Sequence, residues 1–322
     1  MNSGLWKFLL KRLLIGIGTL LAISIIIFAV TQLLPRDPAR AILGRQATEE
    51  AMAALRDRLG LNRPPLEQYL GWLGGLFRFD LGTSLAGINA PVTELIGFRV
   101  QNSFFLLACA AAISIPLSIF IGSFAALRRD KFFDTASSLL MLALAALPEF
   151  AVAVGLVVLF ATTIWQILPA VSIVPPGSPP WDDLSLIVLP TLTLVLAVTP
   201  YVARIMRASM VEVLESDYVE MARLKGLSER TVMWRHALPN ALGPTLQVIA
   251  LNVAYLAGGV IVVERAFNFP GIGLALRDAV AFRDLPVIQA LALLIAGVFV
   301  LANLAADLGT ILVTPRLRTK VS

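Results

Sequence analysis

The chain of 322 residues has a single cysteine, Cys109, and a single histidine, His236. One cysteine cannot form a disulfide within the chain, and a zinc site built from Cys and His needs several such ligands. The sequence also contains no Gly-x-x-x-x-Gly-Lys-Ser/Thr, Gly-x-Ser-x-Gly or His-Glu-x-x-His motif. We therefore expect no disulfide, no bound metal, no cofactor in this chain, and no ATP hydrolysis or other catalysis by the chain alone.

Charged residues are also scarce, at 15% of the chain, whereas 58% of the residues are hydrophobic. About 20 helical residues cross the hydrocarbon core of a bilayer, and backbone groups in lipid must be satisfied inside a helix. Six stretches reach that length, the third only if Glu149 is tolerated within it. We predict an all-α, polytopic membrane protein with six transmembrane helices, at Leu13–Leu34, Val100–Leu127, Thr135–Leu168, Leu184–Ala203, Asn240–Val263 and Val287–Ala306.

The basic residues predict the orientation of these helices. With the N-terminus inside, 15 Lys and Arg lie on the cytoplasmic side and 3 on the outside, once the long segment 35–99 is set aside. Basic residues favour the cytoplasmic side, and the rule is weak for loops longer than about 60 residues. Both termini are therefore predicted to be cytoplasmic. The net charge of +5 reflects this topology, and we expect no nucleic-acid partner.

Segment 204–239 is unusually charged for this chain, with 6 of the 26 basic and 5 of the 21 acidic residues. Asp217 and Glu220 have the spacing of a capping box, Gly226 is placed to end that helix, and Ser228 is placed to cap the next one. Four apolar side chains remain on this water-facing hairpin, which is typical of an interaction site. They are Tyr218, Val219, Leu227 and Trp234.

The same hairpin resembles the EAA loop of importer-type ABC transporter permeases, which reads Glu-Ala-Ala, three residues, Gly, nine residues, Ile-x-Leu-Pro. Glu220, Ala222, Gly226, Leu238 and Pro239 fall in that register, whereas Met221 replaces an Ala and His236 replaces the Ile. Further motifs resemble the membrane subunits of dipeptide and oligopeptide importers, a family that also includes nickel and glutathione importers. They are Leu33–Pro38, Leu59–Pro64, Phe79–Ser84, Phe269–Gly273 and Thr314–Arg318.

This resemblance implies the MetI-like fold of type I ABC importer permeases and a bacterial inner-membrane location. It implies a second homologous permease, two cytoplasmic ATPase subunits that hold ATP-Mg, and a periplasmic solute-binding protein as partners. Peptides are the implied cargo, with nickel, glutathione or another small solute as alternatives. The implied ATPase-coupling residues are Asp217, Tyr218, Glu220, Ala222, Gly226, Leu227, Leu238 and Pro239.

The domain organisation follows from the predicted helices and the resemblance together. Residues 1–34 form the N-terminal end and first helix, and residues 35–99 form a periplasmic segment that lies on the outer membrane face. Residues 100–307 form the permease core of five helices, with the coupling loop 204–239 inside it, and residues 308–322 form a cytoplasmic tail.

Glu149 has two interpretations, because intramembrane carboxylates are costly and usually face a cavity or a partner. It either lines the translocation path, meeting the substrate or the partner permease, or is a structural carboxyl beside a kink at Pro148. A proton-coupled secondary transporter would also explain this residue, but such proteins show symmetric broken-helix repeats and no large charged hairpin. An intramembrane protease would need a Ser/His or paired-Asp set within the spans, and His236 lies outside them.

Overall fold

The structure is a computed structural model that describes residues 3–33, 43, 48–58, 60, 62–85, 90–175 and 177–313. Twelve α-helices and no strand occur in these residues, which confirms the all-α prediction. We number them in chain order. They are α1 Ser3–Gln32, α2 Glu49–Arg58, α3 Pro65–Leu76, α4 Val92–Leu127, α5 Phe132–Ala146, α6 Glu149–Val157, α7 Ser185–Leu214, α8 Asp217–Leu224, α9 Glu229–Thr231, α10 Leu238–Phe267, α11 Ile272–Phe282 and α12 Leu285–Val313.

Four helices in the described part of the chain are long and apolar enough to cross a membrane: residues Leu10–Gln32 of α1, α4, α7, and residues Leu285–Gly309 of α12. A bent pair, α5 and α6 with its π-helical continuation to Thr162, makes a fifth if it counts as one span. The predicted fifth stretch, Asn240–Val263, lies within the continuous helix α10. The count of six spans stays a prediction.

The third predicted span, Thr135–Leu168, is not one helix. The chain bends by 103° between α5 and α6, and Pro148 is the N-cap residue of α6. Proline disfavours a helical conformation in the residue before it, and Leu147 accordingly adopts an extended backbone with ψ 131°. The predicted kink is therefore a break, and the carboxyl of Glu149 lies at the first position of the second helix.

Helix α7 occupies the centre of the fold. In its most apolar window 67% of the residues are buried, against 11% in α1. It contacts α4 so closely that a Cβ at Gly122 would lie 2.5 Å from the carbonyl oxygen of Ala203. The main apolar core joins α4, α6, α7 and α10 through such residues as Leu106, Leu156 and Leu194.

The helices extend past the predicted span ends. Helix α7 continues from the predicted end at Ala203 to Leu214, so the charged hairpin is shorter than segment 204–239. Helix α12 continues to Val313, and Asp307 within it pairs with Arg12 of α1 at 3.1 Å. Of the predicted motifs and segments, residues 1, 2, 34–42, 44–47, 59, 61, 86–89, 176 and 314–322 lie outside the described residues, and these include most of Leu33–Pro38 and all of Thr314–Arg318.

Helix α3, in the segment 35–99 that the sequence predicts to be external, is fastened to α1. The hydroxyls of Tyr69 on α3 and Ser24 on α1 are 2.8 Å apart, and the ring of Phe28 packs on Tyr69 and Trp72. Thr48 caps helix α2, because the Ala51 amide donates to Thr48 Oγ1 at 3.3 Å. This arrangement places α3 against the C-terminal part of α1.

Candidate functional site

The charged hairpin comprises α8, a tight turn, α9 and a π-helical segment, Val232–Ala237. Helix α8 spans Asp217–Leu224, but the predicted capping box is wrong. Ser216 is the N-cap residue, and its hydroxyl donates back to the Val213 carbonyl instead of capping the helix. Asp217 and Glu220 instead lie in the first turn, where a negative charge interacts favourably with the helix dipole.

Gly226 ends α8 in the way predicted. Its φ is +78°, a left-handed conformation that glycine adopts without steric cost. Its amide donates to the Arg223 carbonyl at 2.9 Å, and the Leu227 amide donates to the Ala222 carbonyl at 3.3 Å. These two bonds form a Schellman motif, which satisfies carbonyls that the end of the helix would leave unpaired. The turn between the two arms is therefore fixed.

The second arm of the hairpin begins at Ser228 and does not stop at the membrane. The Ser228 hydroxyl accepts from the Thr231 amide at 3.4 Å, as predicted, and the chain is then helical without interruption to Phe267. Pro239 has no amide hydrogen and removes one bond from the α-helical ladder, and the wider π-helical turns immediately precede it. The second arm of the hairpin and helix α10 consequently form one continuous helical rod.

The two arms pack on each other through a small apolar cluster that includes Val219, Ala222 and Val232, all buried, with Tyr218 against it. The prediction that Val219 is left exposed is therefore wrong. Leu238 is partly buried against Met206 and Ala237. Across the arms, Arg223 Nε donates to Glu229 Oε1 at 2.9 Å.

The outer face of the hairpin combines charged and apolar side chains. Asp217, Glu220 and Gly226 are exposed. Met221, Leu224 and Leu227 expose 54%, 75% and 38% of their surfaces next to these residues. Trp234 is 58% exposed and borders an apolar groove formed with Phe120 and Phe124 of α4. A contiguous apolar group rimmed by charge is typical of a protein interaction surface.

Ion pairs anchor the base of the hairpin to the membrane helices. Arg207 on α7 binds buried Asp134 at the start of α5 in a bidentate manner, at 2.5 and 2.6 Å. Arg129, in the turn between α4 and α5, contacts Glu215 at the end of α7. A planar guanidinium bound through two nitrogens fixes orientation as well as distance. The hairpin therefore extends from a rigid base.

Glu149 is half-buried, and the Tyr255 phenol of α10 is its hydrogen-bonding neighbour. Its Oε1 atom accepts no hydrogen bond. Tyr201 of α7 lies near Tyr255, and its hydroxyl donates to the Ala145 carbonyl at 3.4 Å, in the last turn of α5. The structure thus brings Glu149 together with Tyr255, and Tyr255 with Tyr201, two tyrosines that sequence reasoning did not single out.

Sequence reasoning also missed Glu264, which is fully buried in the last turn of α10. Its carboxylate accepts from the amides of Gly273 at 2.7 Å and Leu274 at 3.1 Å, and from the hydroxyl of Ser103. It therefore caps the amino-terminal end of α11. A Cβ on Gly271 would overlap this carboxylate, which explains the glycine in the Phe269–Gly273 motif. The only sign of this site in the sequence is the position of Glu264 shortly before the glycine-containing motif Phe269–Gly273.

A second buried carboxylate fastens the other end of α11 to the external segment. Asp284 accepts from the Ser84 hydroxyl and, at 3.1 Å, from the Leu85 amide. The turn that precedes Ser84 is closed by Asp80, whose Oδ1 accepts a hydrogen bond from the Gly82 amide at 2.9 Å. The Phe79–Ser84 motif is thus a second attachment point of this segment, besides the contacts of Tyr69 with α1. The described residues contain no group of three or more His, Cys, Asp or Glu side chains placed to hold a metal ion.

Comparison with known proteins identifies the family of this chain. The family of binding-protein-dependent transport system inner membrane components matches residues 118–319, and its N-terminal family matches residues 5–106. A probable peptide ABC transporter permease of Sinorhizobium fredii is 36% identical over 97% of this chain and 99% of its own length.

Two further relatives have the same extent of similarity. A putative peptide permease of Brucella suis is 38% identical over 97% of this chain and 99% of its own length. A glutathione transport system permease of Pectobacterium atrosepticum is 38% identical over 98% of this chain and 99% of its own length. The chain therefore belongs to the binding-protein-dependent transport system inner membrane components, the permease subunits of ABC importers.

Proposed function

We propose that this chain is the permease subunit of an ATP-driven importer of di- and oligopeptides. The family implies ATPase and solute-binding partners. Specifically, we propose two ATPase subunits, a second homologous permease and a periplasmic binding protein that delivers the peptide. Relatives named as peptide permeases support the cargo, and the absence of a nucleotide-binding motif supports ATP hydrolysis in the partner subunits. One relative named as a glutathione permease makes glutathione, itself a peptide, the second candidate.

The observation that carries the mechanism is the continuity of the hairpin with α10. The outer face of α8 offers Met221, Leu224 and Leu227 among charged residues, which suits docking to an ATPase subunit. The fixed turn at Gly226 joins α8 to a rod that is helical from Glu229 to Phe267. In the proposed mechanism, closure of the ATPases moves α8, and the rod carries this movement across the membrane.

The movement at the outer end of the rod reaches α11. Glu264 joins the last turn of α10 to the first turn of α11, and Asp284 joins the end of α11 to the external segment. A transporter that switches between two states needs rigid elements with two alternative arrangements. Packed interfaces provide these, because they are bistable and not continuously deformable. We propose that inward- and outward-facing states of the cavity between the two permeases alternate in this way.

The proposed orientation places both termini and the hairpin in the cytoplasm. Single-cysteine labelling tests it in a Cys109→Ala background with an impermeant thiol reagent. Asp182→Cys, in the exposed loop before α7, should react in intact cells, whereas Glu229→Cys in the hairpin should react only after the membrane is opened. Ser84 is a poor site for such labelling because it is 3% exposed and bonded to Asp284. Labelling of Glu229→Cys from outside would contradict the proposed coupling role.

Glu149 is proposed to face the translocation path. Its support is its half-buried side chain and its position at the break between α5 and α6. Irregular backbone at membrane depth is tolerated where it lines a cavity or is buried in protein.

Uptake into proteoliposomes tests the function as a whole. The permease pair, the ATPases and the binding protein are reconstituted, and uptake of a labelled tripeptide is compared with uptake of glutathione. We expect ATP-dependent tripeptide uptake that an imposed proton gradient cannot replace. Uptake driven by the gradient without ATP would instead indicate a secondary transporter, and uptake of glutathione alone would favour the second cargo.

A further inference from the structure

A cavity of about 400 Å³ lies where helices α1, α3 and α12 meet. Its lining includes Gln32, the last residue of the membrane-spanning stretch of α1, and Leu285, the first residue of the membrane-spanning stretch of α12. These stretches have 23 and 25 residues, enough to fill the hydrocarbon core, so their ends lie at the depth of the phospholipid headgroups. Two spans therefore end at this cavity on one side of the membrane, and the cavity lies at headgroup depth.

The part of the cavity between α1 and α3 is aromatic. The rings of Phe28 and Trp72 line it and stack with their centroids 6.2 Å apart. Tryptophan is enriched at headgroup depth, because its ring is apolar and its N–H is polar. Further along α1, Leu21 and Ile25 precede Gln32 by eleven and seven residues, which places them on the same helix face. They are 40% and 54% exposed, so acyl chains can lie on this face below a headgroup in the cavity.

Hydrogen bonds between side chains hold the polar wall of the cavity. Gln32 Nε2 donates to Gln68 Oε1 at 2.9 Å, and Gln68 Nε2 donates to the Arg63 carbonyl at 2.8 Å. From α12, Gln289 is 8% exposed, and its Nε2 donates to Thr31 Oγ1 at 2.9 Å. These bonds join α3 and α12 to the end of α1. They therefore fix the backbone at Arg63 relative to both spans.

Two side chains of opposite charge, Arg63 and Glu67, line the cavity and are exposed. They are four residues apart but do not pair with each other, and neither forms an ion pair with another residue in the described part of the chain. A guanidinium binds a phosphate through two parallel hydrogen bonds, and a carboxylate binds a protonated amine by a charge-assisted hydrogen bond. The two side chains therefore suit a ligand that carries a phosphate and an amine close together.

We propose that the cavity binds the headgroup of phosphatidylethanolamine, a phospholipid with one phosphate and one primary amine. Arg63 binds the phosphate, Glu67 binds the amine, and the acyl chains lie along Leu21 and Ile25. The most apolar window of α1 is only 11% buried, and this open apolar surface beside the cavity favours a lipid over a segment of a binding protein. The bound lipid fastens α3 to the two spans. This inference does not depend on the peptide cargo.

The test measures lipid binding to the detergent-purified complex of this chain with its partner permease and ATPase subunits. Native mass spectrometry gives the dissociation constants of phosphatidylethanolamine and phosphatidylglycerol with identical acyl chains. We expect phosphatidylethanolamine to bind about tenfold more tightly, because phosphatidylglycerol has the phosphate but no amine for Glu67. Glycerophosphoethanolamine, which has the headgroup and no acyl chains, should bind at least about a hundredfold more weakly, because it buries no apolar surface on α1.

Variants separate the two charges. Glu67→Gln should weaken binding of phosphatidylethanolamine about tenfold and leave phosphatidylglycerol unchanged, which abolishes the preference. Arg63→Gln should weaken both lipids about tenfold, whereas Arg63→Lys keeps the charge and should cost only about threefold. The matched controls Arg78→Gln and Glu94→Gln remove exposed charges that do not line the cavity and should change neither constant.

The outcomes decide between a lipid site and other roles of this cavity. Each variant should have the melting temperature of the wild type in the absence of lipid, since both side chains are exposed, and lost binding then reports contact and not unfolding. Equal affinity of the wild type for both lipids, or a preference that Glu67→Gln retains, would overturn the proposal. Unchanged lipid binding in Arg63→Gln and Glu67→Gln, together with weaker binding of the solute-binding protein to the same complex, would overturn it in favour of a protein-docking surface.

Discussion

The two ends of helix α10 are built differently. At the outer end, Glu264 is fully buried and holds α11 through amides and the Ser103 hydroxyl. At the hairpin end, the two arms are joined by the ion pair of Arg223 and Glu229, whose side chains are 40% and 72% exposed, and by a small apolar cluster. The bonds at the Glu264 end are buried, whereas the ion pair that joins the hairpin arms is exposed.

This difference indicates where each end obtains its stability. A buried, multiply bonded carboxylate stabilises α11 without a partner, since removing it would leave buried amides unsatisfied. An exposed ion pair contributes only about 0–1 kcal/mol. We infer that the hairpin is rigid in its turn, but that its position is completed by the subunit that docks on it.

The largest effect is expected at Glu264. Glu264→Ala leaves the amides of Gly273 and Leu274 and the Ser103 hydroxyl without their acceptor and opens a cavity, which should cost roughly 3–5 kcal/mol. The melting temperature of the detergent-solubilised chain measures this loss. Glu94→Ala, which removes an exposed carboxylate from α4, should be neutral. Equal melting temperatures for the two variants would contradict the account of the outer end.

A somewhat smaller loss is expected from a methyl group at Gly273. Its Cβ would lie 2.5 Å from the Cα of Ile261, a backbone atom that no side-chain rotation can move away. Gly273→Ala should therefore lower the free energy of unfolding by about 1–3 kcal/mol. Gly97→Ala and Gly297→Ala meet no atom within 4 Å and should be neutral or slightly stabilising, because alanine favours helix. The same melting assay compares them, and a stable Gly273→Ala variant would show that α10 and α11 are less closely packed.

The sequence predicts an interaction well when the two partners are close along the chain, and poorly when they are far apart. Gly226 and Ser228 were predicted because their roles depend on neighbours within a few residues. The capping box at Asp217 was wrong because Ser216, one residue earlier, takes the cap position. Glu264 was not predicted, because its amide partners Gly273 and Leu274 lie across a turn and its hydroxyl partner Ser103 is 161 residues away.

The membrane helices show the same limit. Uninterrupted apolar length located the helices, because lipid forces backbone groups into helical bonds. It could not show that α5 and α6 diverge by 103°, nor that α7 continues to Leu214, because tertiary packing decides both. The pairing of Glu149 with Tyr255 likewise depends on how α6 and α10 pack.

A change in the hairpin turn should alter coupling more than stability. No atom lies within 4 Å of a Cβ at Gly226, so a substitution there acts only through the backbone φ of +78°. Gly226→Val should cost about 1–2 kcal/mol locally and misdirect the second arm, with a large loss of ATP-dependent uptake at unchanged expression. The single variant Gly226→Asn should keep much of the wild-type uptake, because asparagine tolerates the left-handed conformation. Full uptake by Gly226→Val would argue against the hairpin as the coupling element.

The smallest effect is expected for the exposed pair Arg223 and Glu229. A double-mutant cycle of Arg223→Ala and Glu229→Ala, read from the melting temperature, should give a coupling energy of about 0.2–1 kcal/mol in low salt. Added salt at about 1 M shortens the screening length to about 3 Å and should remove most of it. Arg223 also donates to the Leu214 carbonyl at 3.5 Å, so its single variant should cost slightly more than that of Glu229. If the docked ATPase subunit covers this pair, the coupling energy measured in the assembled importer should become larger and less sensitive to salt, because screening is weaker for buried charges. A coupling energy unchanged by assembly would place the docking surface away from this side of the hairpin.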